Sequence, residues 1–186
     1  MMRRRLMLPT FILLACLTAC QSSQVAGNGN DADPVDARLS AGYSLLHSLV
    51  KDESGVAGIL SVKQASDETT AIIKDIAAAS HDARKQLEAF AQADARIVLD
   101  RPQLPEVEQS TRGSIALATG GGLLFAGDFE LRLLLTQLDA LQYGQHMAEQ
   151  VARMDGDEER SQWLREFSKR YADLRKRVIE RLALRG

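Results

Sequence analysis

The chain has 186 residues, with 23 Lys+Arg against 25 Asp+Glu and a net charge of −2, a balance that excludes the strongly basic face of a nucleic-acid-binding domain. Its two cysteines, Cys16 and Cys20, both fall in the first 20 residues, so the body carries no thiol for redox chemistry, a disulfide or a Cys-based metal site. Aromatic residues make up only 5% and the body is rich in Ala and Leu, which favours helices and leaves little material for a sheet.

The N-terminus reads first. Arg3, Arg4 and Arg5 precede an apolar run from Leu6 to Leu17, interrupted by Pro9 and Thr10, and small residues then lead to Cys20. A basic start, a short apolar stretch and a small-residue cleavage site are the layout of a secretory signal. The run is too short for a membrane-spanning helix, which needs about 20 apolar residues. Its end, Leu17-Thr18-Ala19-Cys20, resembles the lipobox of bacterial lipoproteins, a resemblance confined to about the first 20 residues. It implies cleavage of residues 1–19 as a signal peptide, a covalent lipid on Cys20, and palmitate-type acylation of the new amino terminus. It further implies a membrane partner reached through that anchor: each buried methylene contributes about 0.8 kcal/mol, so several acyl chains hold where one is marginal. Gln21 stands after the cysteine where an Asp would imply retention at the inner membrane, so the resemblance points to the outer membrane, facing the periplasm. Loss of residues 1–19 removes three arginines and leaves 20 basic against 25 acidic residues, or −5.

Residues 20–36 read as a lipidated flexible tether. The stretch QSSQVAGNGNDADPVD has no periodic apolar residues and cannot bury enough surface to offset its ordering entropy. Residues 37–186 then form one domain, long enough for a core of its own. A short first helix is predicted from about Ala37 to Lys51, with Leu39, Tyr43, Leu46 and Val50 on one face, before the glycines of ESGVAG. The second helix shows the clearest pattern: Val62, Ala65, Thr69, Ile72, Ile76, Ala79, Ala83, Leu87 and Phe90 recur at spacings of three and four. It is predicted to reach Ala93 and to start near Val62, or as early as Val56. Pro105 suits the first turn of a third helix running to about Thr119, with a kink or hinge at Gly120-Gly121-Gly122. Gly127-Asp128 reads as a break and a cap. The fourth helix, Phe129 to Met154, is apolar over more than half its circumference and is predicted to be the most buried. The last, from about Asp157 to Leu184, carries acidic residues in its first turn and arginines in its last, matching the helix dipole. Trp163, Phe167, Tyr171, Leu174, Val178 and Leu182 line its apolar face. The predicted fold is therefore all-α, an antiparallel bundle of four long helices plus a short N-terminal helix, after a cleaved signal peptide and a flexible tether.

The body resembles ferritin-like helical bundles in architecture alone. Their Glu-x-x-His motif is missing, since Ser44, Ala78 and Tyr143 stand three residues before His47, His81 and His146. His146, Glu130, His47 and His81 are the weak metal candidates, and no metal or other cofactor is predicted beyond the lipid. The fourth helix carries a polar set, Glu130, Gln137 and Tyr143, along or beside its apolar stripe. This set reads either as a polar interior that receives a small ligand or, more plainly, as a dipole contact for Glu130 and structural hydrogen bonds for the other two. No Gly-x-Ser-x-Gly nucleophile elbow is present, and GGGLLFAGD lacks the Lys-Ser/Thr of a phosphate-binding loop. The expectation is a non-enzymatic structural or protein-binding role, with an envelope protein as partner and no nucleic acid. The alternatives are a ferritin-like metal-binding bundle or a small-ligand-binding bundle.

Overall fold

The computed structural model describes residues 34–100 and 127–185, together with the helical positions Ser110 and Ser114. The stretch read as a signal peptide, Cys20, most of the stretch read as a tether, the glycines at 120–122 and, apart from Ser110 and Ser114, the third predicted helix lie outside the described residues. Those described form four long helices: α1 (Pro34–Ser54), α2 (Asp67–Ala93), α3 (Phe129–Met154) and α4 (Glu158–Ala183), with a 3-10 helix at Val56–Ser61 between the first two. No strand occurs among the described residues.

The first helix is not short. It runs for 21 residues and begins at Pro34, three residues inside the stretch read as tether. Proline is tolerated in a first helical turn because the N–H it lacks would have no partner there, and Asp36 adds favourable charge at the same end. At the other end the Ser54 hydroxyl donates to the Lys51 carbonyl and the Gly55 N–H to that of Asp52, closing the helix before the glycine.

The predicted second helix starts late. Val56–Ser61 winds as a 3-10 helix, and Val62, placed on the core stripe by its spacing, is 71% exposed. The α-helix begins only after Ser66, whose hydroxyl accepts from the Thr69 N–H, with Asp67 and Glu68 in its first turn. From Thr69 onward the expected stripe is buried without exception.

The last two helices follow their caps. Asp128 accepts from the Leu131 N–H and Asp157 from the Arg160 N–H, fixing both starts. Only Asp155, Gly156 and Asp157 separate α3 from α4, and these two helices share the most extensive helix–helix contact. The remaining packing is of α1 on α2 and on α3, and of α2 on α4.

One core joins all four. Leu39, Tyr43, Leu46 and Val50 of α1 meet Ile73, Ile76 and Leu87 of α2, Leu134 and Leu141 of α3, and Leu164, Tyr171 and Val178 of α4. An aromatic row crosses it, from Tyr43 to Phe90, Trp163, Phe167 and Tyr171, with successive ring centroids 6.4, 5.4, 5.6 and 4.3 Å apart. Two glycines set the approach of α3. A Cβ on Gly42 would lie 2.8 Å from Val151, and one on Gly144 would lie 2.6 Å from the Tyr171 ring and 2.8 Å from Leu49.

Candidate functional site

Among the described residues, most of the polar groups that the helices enclose fall into three sets; Ser44, which donates to the Leu99 carbonyl, and Ser168, which donates to Glu149, lie apart from them. The first closes the end where α3 turns into α4. Asp155 is buried, and its carboxylate accepts from the Tyr43 hydroxyl at 2.5 Å, from Arg160 Nε and Nη2 at 2.8 and 2.7 Å, and from the Asp157 N–H at 2.9 Å. Arg160 reaches on to Asp94, just beyond the end of α2, at 3.1 Å. Ser161 donates to the carbonyls of Ala152 and Asp155. Burial and the adjacent carboxylate of Asp155 push the Tyr43 phenol up, so it remains a donor. Burial works against the Asp155 charge, but the bonds from Arg160 and Tyr43 outweigh it and hold the carboxyl below its ordinary range.

The second set lies at the opposite end. Glu130, in the first turn of α3, accepts from the hydroxyls of Ser66 and Thr69, from Arg181 Nη2 at 3.1 Å, and pairs with Arg185 Nη1 at 2.7 Å. Arg185 also reaches Asp128, the cap of α3, at 2.9 Å. Burial again opposes the charge, and the two hydroxyls and two guanidinium groups overcome it, holding the Glu130 carboxyl at about 2. Every donor here fastens one helix terminus to another. A carboxylate so fully engaged is a poor base and a poor nucleophile.

The third set is interior. Gln137 of α3 is 2% exposed, and its amide lies beside the carboxyl of Glu53 in the last turn of α1, close enough to favour that group's charged form. Nearby, the Tyr171 hydroxyl bonds Ser80 Oγ at 2.7 Å, and Ser80 donates to the Ile76 carbonyl. Two acceptors are left over: among the described residues, Glu53 Oε2 and Gln137 Oε1 are buried with no hydrogen-bond partner. Burial, with the negative charge of Asp52 adding to it, pushes the Glu53 carboxyl up to about 7 against the donor effect of Gln137.

The residues singled out in the sequence distribute over these sets unevenly. Glu130 is in the second and Gln137 in the third. Tyr143 is 43% exposed on α3, outside the polar interior where its place beside the stripe had put it. At 100° per residue it falls on the far side of the helix from Leu134, and so turns outward. His47 is 12% exposed and its Nε2 stands 3.3 Å from Glu88 of α2. His146 is 61% exposed and 3.6 Å from Glu149 on its own helix. His81 is half-buried on α2. The structure does not bring the three histidines and Glu130 to one point, and among the described residues no group of three His, Cys, Asp or Glu is arranged to hold a metal ion.

Glu53, Asp155, Arg160 and Arg181 were missed in the sequence. Glu53 alone had a local signal: it continues the spacing of Leu39, Tyr43, Leu46 and Val50 by three more residues, onto the buried face. Shallow grooves mark the α2/α4 seam, floored by Ala79, Ala83, Trp163 and Phe167 and edged by Asp82 and Arg170. No helix among the described residues is long and apolar enough to cross a membrane. No protein-family model, curated protein or solved structure matches the chain.

Proposed function

We propose that the protein is a lipid-anchored, non-enzymatic helical bundle of the bacterial cell envelope, held at the outer membrane and facing the periplasm, where it braces or binds another envelope protein. The observation that carries this reading is Leu17-Thr18-Ala19-Cys20 at the end of a basic-then-apolar leader, with Gln21 after the cysteine. The stretch from Gln21 toward Pro34 supplies the tether between anchor and bundle.

The bundle is antiparallel in this reading. Supporting it, Gly42 of α1 lies against Val151 of α3 and Leu49 against Gly144, so rising numbers on one helix meet falling numbers on the other. The same order holds for α2 on α4, where Thr69 meets Arg181, Asp75 meets Arg177 and Ser80 meets Tyr171. A role in binding rather than chemistry is supported by how the polar groups are used: the two end clusters consume their charges in fastening helix termini. It is supported also by the apolar side chains left at the surface where α3 begins and α4 ends, namely Leu131, Leu135, Ile179 and Leu184.

Membrane fractionation tests the anchor. Wild type is expected to sediment with membranes and Cys20→Ser to move to the soluble periplasmic fraction. A variant that still sediments like wild type overturns the reading. A photo-crosslinking side chain at Leu135 then tests the binding role in intact cells, where a discrete adduct is expected and its absence argues against a partner on that face.

A further inference from the structure

We propose that Glu53 is a proton-operated latch: as the carboxylic acid it closes the end of α1 onto Gln137, and loss of its proton frees the last turn of α1 and the 3-10 helix Val56–Ser61 from the core. An ionised carboxylate only accepts, and a carboxamide oxygen only accepts. With Glu53 ionised, the Gln137 N–H can serve one Glu53 oxygen, but nothing donates to Glu53 Oε2 or Gln137 Oε1, both buried without a hydrogen-bond partner among the described residues. One proton resolves both. A carboxylic acid gains an O–H that it can donate to the Gln137 carbonyl oxygen, while its own carbonyl accepts the Gln137 N–H. The two side chains then form a closed, neutral acid–amide pair with every polar atom used.

The surroundings favour that neutral form. Asp52, on the same helix, places a second negative charge against Glu53. From α3 the facing group is the uncharged Gln137, and from α4 it is the Tyr171 phenol, whose ionisation Glu53 opposes. From α2 the contribution is the Ser80 hydroxyl, through Tyr171. The 3-10 helix, VAGILS, has no ionisable side chain. Burial adds to the same direction and brings the carboxyl to about 7.

What the latch would release is loosely held. The 3-10 helix buries none of its residues fully; Val56, Ala57, Ile59 and Leu60 only rest against the core. Gly55 and Gly58 flank and interrupt it, and a Cβ at Gly58 would touch nothing within 4 Å. Elements with few buried contacts and glycine at their joints open at low free energy.

The folded-state value lies above the ordinary one of 4.5, so the closed form binds the extra proton and closure is lost as pH rises from about 4.5 to about 7, levelling above that. The test is amide hydrogen exchange on the full-length protein in detergent, corrected for intrinsic rates, at steps from pH 5 to 8. In wild type the opening of residues 54–61 is expected to rise on the order of tenfold per pH unit up to about pH 7, then level off. In Glu53→Gln, whose carboxamide stays neutral, the corrected opening is expected not to vary with pH. Equal pH dependence in the two proteins overturns the proposal. Should Glu53→Gln not fold, wild type labelled at glutamate 13Cδ gives the answer: one glutamate titrating with a midpoint near 7 supports the latch, and all glutamates titrating below 5 overturn it.

Discussion

The phenol of Tyr43, midway along α1, donates to the carboxylate of Asp155 at the far end of α3 across 2.5 Å, and both side chains are buried. The two residues are 112 positions apart, and the same carboxylate is gripped from its other side by Arg160 at the start of α4. Removing one partner of a buried, hydrogen-bonded charge strands the other, which costs about 3–5 kcal/mol. Asp155→Ala leaves Arg160 only its longer contacts to Asp94 and Asp157, and the Tyr43 hydroxyl without its acceptor, so a loss at the lower end of that range is expected by urea unfolding. Tyr43→Phe removes one donor and leaves the ion pair whole, so about 1–2 kcal/mol is expected. Equal losses from the two substitutions would mean that the phenol, not the charge pair, organises this end.

Gly144 sits where α1 and α4 both press on α3. Any Cβ there meets the Tyr171 ring at 2.6 Å and Leu49 at 2.8 Å. Gly144→Ala gains helix propensity, about 1 kcal/mol. The overlap with a buried ring and a half-buried branch outweighs it, since overpacking of this kind costs about 1–3 kcal/mol. Net destabilisation is expected, together with altered near-ultraviolet circular dichroism as Tyr171 is displaced. Gly58→Ala, where a Cβ would touch nothing, is expected to leave the near-ultraviolet spectrum unchanged and stability equal or up to about 1 kcal/mol higher.

Helix limits were legible where a cap and a periodic stripe coincide. Asp128 and Asp157 mark the starts of α3 and α4, and both helices lie where the stripes and caps put them. The same logic failed at Val62. Its spacing extends the stripe of α2 perfectly well, but the chain there is a 3-10 helix and a short connection, whose side chains follow a different rotation per residue. Period alone does not reveal that change. The polar interior was harder still, because its partners are remote in the chain. Arg181 and Arg185 read as charges suited to a helix C-terminus. They do lie there, yet what they grip is Glu130, more than 50 residues away, and Arg185 also holds Asp128. Glu130 itself was noticed, and its place in the first turn explained it in part. Glu53 was not noticed, because the glycines after it suggested that the helix had already ended.

The Glu130 cluster makes an acid-sensitive joint. Its carboxyl is held at about 2 in the folded protein against an ordinary value of 4.5. A depressed carboxylate contributes stability that is present above 4.5 and lost as pH falls from there toward 2. After allowance for partial exposure the contribution is on the order of 2 kcal/mol. Glu130→Gln is expected to lower stability at pH 7 by roughly that amount and to shrink the difference from wild type as the pH approaches 2. A difference that stays constant from pH 7 to pH 2.5, followed by thermal unfolding, would show that the four donors act on shape rather than charge.

Metal addition separates the anchored-bundle reading from the ferritin-like one. A metal that binds the folded chain and not the unfolded chain raises stability by mass action, by about 2.7 kcal/mol at a hundred times its dissociation constant. Here Glu130 is committed to two guanidinium groups and His47 to Glu88, so recruiting either one first breaks an existing contact. His146, on the opposite face of α3 from the core and mostly in solvent, offers one imidazole with Glu149 beside it, which is too few ligands for a tight site. The full-length protein, purified without chelator or affinity histidines, is therefore expected to carry well under one equivalent of iron, manganese, zinc or copper by mass spectrometry. Its melting temperature is expected not to move when each is added in excess. Stoichiometric metal together with a rise in melting temperature that His146→Ala or Glu130→Gln abolishes would replace the binding role with a metal-holding one.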